Sequence, residues 1–103
     1  MTISPHYSPT EYLSPRELAM VGVEEEAAEV IKELCKARRF TLTTPSCVDG
    51  ATAVQRLSEE LGDLLGSIQY LLKTHPEIDQ VALEKHRIRR EGRLRFFNNP
   101  ANW

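Results

Sequence analysis

The chain has 103 residues, 41% of them hydrophobic and 27% charged, enough for one domain with a single modest core and too few for two. A formal net charge of -2 and a pI near 5.9 argue against a dedicated nucleic-acid binder. No apolar run approaches the roughly 18 residues that cross a membrane, so no membrane partner is expected.

The N-terminal stretch MTISPHYSPTEYLSP lacks the basic and apolar regions of a signal peptide. Cys35 and Cys47 fit neither a disulfide framework nor a paired-cysteine metal motif. The expectation is a soluble, cytoplasmic protein with free thiols.

In chain order, residues 1–13 read as an extended arm rich in proline, serine and threonine. Ser14 then caps a helix, with Pro15 in its first turn and Glu17 closing a capping box. That helix is predicted over Pro15 to about Arg39. TLTTPSCVDG breaks it, and a second helix is predicted over about Ala51 to Lys73. THP closes the second and opens a third, about Pro76 to Arg90, with a continuation past Gly92; residues 96–103 read as an irregular tail. The expected fold is all-α, an antiparallel helical hairpin plus a further helix, four-helix-bundle-like on oligomerisation, with 14–95 as the folded domain.

At roughly 100° per residue, Ala19, Val23, Val30 and Leu34 lie on the apolar arc of the first helix. Glu26 sits at its edge, and Glu29 and Glu33 lie just beyond on the same side. Glu24 falls within the apolar side. On the second helix Leu57, Leu61, Leu64 and Ile68 form the arc, Glu60 sits at its edge and Asp63 lies beyond it in the same rotational sense. Packing two antiparallel helices through these arcs puts equally offset flanks on one side. Glu29 and Glu60 stand about equally far from the connection, so at about 1.5 Å per residue they come level. Glu26, Glu29, Glu60 and Asp63 are therefore expected to converge.

Crowded carboxylates either protonate or bind a cation. An oxygen-only set without His or Cys suits Mg²⁺, with Mn²⁺ as substitute, and an ion held by few protein groups keeps positions open for phosphates. The third helix, LEKHRIRREGRLR, supplies positive charge. Lys85 and Arg89, one turn apart, share a side with Ile78, Val81, Ala82 and Ile88, where phosphate oxygens are natural partners.

EEAAE (Glu25–Glu29) and ELGD (Glu60–Asp63) together resemble the E-E-x-x-E … E-x-x-D signature of the MazG-like nucleotide pyrophosphohydrolases. The resemblance spans about residues 15–95. It implies an all-α, Mg²⁺-dependent enzyme that hydrolyses nucleoside triphosphates between the α- and β-phosphates and assembles as a homodimer or homotetramer.

Carried over by position, the metal ligands would be Glu26, Glu29, Glu60 and Asp63, and the phosphate ligands Lys85 and Arg89. Glu29 or Glu33 would be the catalytic base. The segment between Glu29 and Glu60 is at or above the usual length, with the excess in FTLTTPSCVDG. Two alternatives stand beside this reading. One is phosphoribosyl-ATP pyrophosphatase, a relative that usually carries a His after its DLLYH stretch where this chain reads DLLGSIQ. The other is a non-enzymatic helical module that binds a partner through the basic third helix.

Overall fold

The computed structural model describes residues 13–43, 45 and 50–103. The arm expected over 1–13, apart from Leu13, lies outside the described residues, as do Cys47 and loop positions 44, 46, 48 and 49. Every regular element among the described residues is helical: α1 over Pro15–Phe40, α2 over Ala53–Thr74, α3 over Gln80–Phe97 and a 3₁₀ turn over Pro100–Asn102.

The caps explain the boundaries. The Glu17 N–H donates to Ser14 Oγ at 3.1 Å and the Ser14 N–H donates to Glu17 Oε1 at 3.3 Å, so two orphan donors of the first turn are satisfied reciprocally. Thr52 and Gln55 repeat the device at the start of α2, at 3.2 and 2.7 Å. The third helix starts at Gln80 rather than Pro76, because the Asp79 carboxylate accepts from the Ala82 N–H at 3.0 Å. It runs through Gly92 to Phe97. Beyond it the chain folds back, and the Asn102 side-chain amide and Trp103 indole N–H donate to the Phe96 and Phe97 carbonyls at 2.9 and 2.5 Å.

α1 and α2 pack as an antiparallel hairpin. At its open end the Arg16 guanidinium donates to the Thr74 carbonyl at 2.8 Å and pairs with the Glu77 carboxylate. In the middle Gly22 faces Ser67. At the connection the Val54 N–H donates to the Leu42 carbonyl at 3.0 Å.

The core is thin: Ala19 and Val30 are its buried apolar residues among those described. Met20, Ile31 and Leu34 of α1 and Val54, Leu61 and Leu65 of α2 are exposed. At helical spacing they are rotated the same way from the core on each helix and make one apolar flank, opposite the flank of Glu29 and Asp63. Glu24, placed on the apolar side by the sequence, is exposed, because that side of α1 is largely uncovered. α3 packs on the 3₁₀ turn and has no comparable packing on the hairpin. No helix among the described residues is long and apolar enough to cross a membrane.

Candidate metal centre

The hairpin sets Glu26 of α1 against Glu60 and Asp63 of α2. One carboxylate oxygen from each lies within 4.8 Å of the other two. Glu26 and Glu60 are half-buried between the helices, whereas Asp63 is exposed.

Two properties mark this triad as short of positive charge. The buried Glu26 Oε2 has no hydrogen-bond donor, which is costly for a carboxylate oxygen. Burial, followed by the Glu26 carboxylate and then by Glu29 and Asp63, holds the Glu60 carboxyl above its ordinary value. Like charges at this range resist joint ionisation, and a cation would relieve both strains. An all-oxygen donor set with an exposed third member fits a hard divalent ion that keeps part of its water shell.

The other expected residues fall differently. Glu29 is exposed, stands outside the mutual triad and pairs loosely with Lys32 at 4.0 Å, yet its charge is felt at Glu60. Glu33, expected just beyond the edge of the apolar arc, is instead 5% exposed. Its Oε1 meets Lys36 Nζ at 3.5 Å and its Oε2 lacks a donor. Lys85 and Arg89 lie exposed on α3, and the chain's own packing does not bring that helix against the hairpin.

One residue near the triad was passed over in the sequence. Arg56, half-buried one turn before Glu60, lines an open concavity of about 550 Å³ with Ala51, Gln55, Ser58 and Glu59. The R-x-x-x-E spacing was the available signal, since residues four apart share a helix face.

In comparisons with protein-family models, with curated proteins and with solved structures, the chain matches none.

Proposed function

We propose that the protein is a Mg²⁺-dependent nucleoside triphosphate pyrophosphohydrolase, converting a (deoxy)nucleoside triphosphate and water into the monophosphate and pyrophosphate. The observation that carries this reading is the inter-helix triad of Glu26, Glu60 and Asp63 with its donor-less buried oxygen. The resemblance of EEAAE and ELGD to the MazG-like signature supplies the reaction class.

Glu26, Glu60 and Asp63 would hold the ion. Glu29 joins them by leaving Lys32, an exposed pair of little worth. A Mg²⁺ ion held by these carboxylates would supply a water of lowered pKa and a Lewis acid for a phosphoryl oxygen.

The water oxygen bonds to the α-phosphorus, the bond from that phosphorus to the α–β bridging oxygen breaks, and pyrophosphate leaves. Glu29, solvent-open and within electrostatic range of Glu60, takes the proton. Glu33, buried and tied to Lys36, suits a supporting role rather than proton transfer. Lys85 and Arg89 neutralise the departing pyrophosphate.

The exposed apolar flank of the hairpin supports pairing of two hairpins into a four-helix bundle as a homo-oligomer. The unpartnered basic third helix is what a non-enzymatic binding module would also display, and the two readings part on chemistry. Pyrophosphate release from a panel of NTPs and dNTPs, with Mg²⁺ or EDTA, is expected for the wild type and lost in Glu60→Gln. Silence across the panel with no Mg²⁺ effect on melting would overturn the enzyme reading in favour of the module.

A further inference from the structure

Resting on that reading, we infer that α3 completes the acidic site of a second copy of the chain, laying Lys85 and Arg89 against the partner's carboxylates instead of its own. Four observations converge on this exchange. The first is the take-off of α3. Arg16 bonds the Thr74 carbonyl and the Glu77 carboxylate on either side of the His75 cap, and Asp79 starts α3 immediately after. The junction is thus braced by α1, and α3 leaves with no packing on the hairpin helices comparable to theirs on each other among the described residues. Asp63 lies about 16 Å of helix before that junction.

The second observation is the sorting of charge around α3. Arg87 and Arg95 are bound to Glu84 and Glu91 at 2.5 and 2.7 Å. Lys85 and Arg89 have no hydrogen bond or ion pair among the described residues. At helical spacing they stand in one stripe with Val81, Ile88, Gly92 and Phe96, and Val81 is 82% exposed. A stripe that mixes bare cations with uncovered apolar groups is an interface face awaiting an acidic and apolar counterpart.

The hairpin's acidic flank is such a counterpart, which is the third observation. Of the neighbouring lysines, Lys36 is held by the buried Glu33 at 3.5 Å. Leu18 and Tyr70, exposed on this same flank by helical spacing, supply apolar contact. The fourth is register. Seven residues, about 10 Å of helix, separate Arg89 from Phe96, and the same interval separates Asp63 from Tyr70. Phe96 can therefore meet Tyr70 while Arg89 meets the carboxylates. Reciprocal exchange between two copies closes the arrangement and builds two equal sites.

The test is zero-length carboxyl-to-amine coupling on a 1:1 mixture of ¹⁴N- and ¹⁵N-labelled chains, mixed in denaturant and refolded together, read by mass spectrometry. Lys85 is expected to couple to Glu26, Glu29, Glu60 or Asp63, with about half of the coupled pairs carrying one label of each kind, as random partnering requires. Coupled pairs of uniform label only, no coupling of Lys85 to these carboxylates, or a monomer by light scattering would each overturn the exchange.

Activity gives a second measurement. Refolding Glu60→Gln together with the Lys85→Ala/Arg89→Ala double variant should restore pyrophosphate release from near zero to about a quarter of wild type. Half of the hairpins keep their carboxylates, and half of those receive an intact α3. No recovery alongside an active wild type overturns the exchange. A wild type that releases no pyrophosphate overturns the enzymatic reading alone, and the isotope pattern then still decides where α3 lies.

Discussion

Replacing Gly22 by alanine tests how closely the two hairpin helices approach beside the triad. Gly22 lies inside α1, one turn before Glu26, where glycine costs about 1 kcal/mol relative to alanine. A Cβ built there meets Ser67 Oγ at 3.6 Å and Ser67 Cβ at 3.9 Å. Both are ordinary van der Waals distances, so the added methyl requires no movement of α2. The helix-propensity gain is then realised almost whole, and Gly22→Ala should stabilise the protein by about 1 kcal/mol, raising Tm by about 4–8 °C.

The same gain is expected for Gly66→Ala inside α2, whose Cβ would meet nothing within 4 Å, which makes it the control. Melting followed by circular dichroism, with and without Mg²⁺, reads both. A lower Tm for Gly22→Ala with a higher one for Gly66→Ala would refute the described helix spacing. A smaller Mg²⁺-induced rise in Gly22→Ala would mean that the glycine serves as clearance for the bound ion instead.

Three further outcomes follow from the same geometry. Mg²⁺ or Mn²⁺ at ten times its dissociation constant should add about 1.4 kcal/mol and raise Tm by about 6–11 °C, and differential scanning calorimetry on Glu60→Gln should show no such rise.

The Arg16 hydrogen bond lowers the Glu77 carboxyl from 4.5 to about 2. Because the folded value lies below the unfolded one, this pair's contribution is intact above about pH 4.5 and disappears as pH falls toward 2. Urea midpoints between pH 5 and 2 should lose that component in Arg16→Met. The raised Glu60 carboxyl acts in the opposite sense, withdrawing stability from the apo-protein as pH climbs above the ordinary carboxylate value.

Leu65→Glu, which charges the exposed apolar flank without touching the carboxylate flank, should leave helicity intact and lower the assembly's mass by light scattering, to no less than the dimer that the α3 exchange holds. An unchanged mass would remove that flank from the interface.

The hairpin and its triad were legible because both depend on one helical period. Glu26 and Glu60 sit at the edges of their apolar arcs, with Asp63 further round in the same sense, and antiparallel packing sets all three on one side of the hairpin without further information. Ser14-x-x-Glu17 likewise announced its cap, and Thr52-x-x-Gln55 carries the same signature although the second helix was expected from Ala51.

What periodicity cannot state is what a face meets. Val81, Ile88 and Phe96 mark a stripe on α3, but no spacing says whether it covers its own hairpin or another molecule, since that depends on the angle set at His75–Asp79 by Arg16. The burial of Glu33 was illegible for a related reason. A carboxylate at a helix edge is inside or outside according to how far the neighbouring helix rolls over it.

The folded-back tail has a practical consequence. Trp103 is the sole tryptophan, is 85% exposed and is tethered through its indole N–H to the Phe97 carbonyl. The protein therefore carries a built-in optical label on the one long helix that stands away from the hairpin. Its emission reports the solvent around the end of α3, and its quenching by iodide counts the helices that remain uncovered.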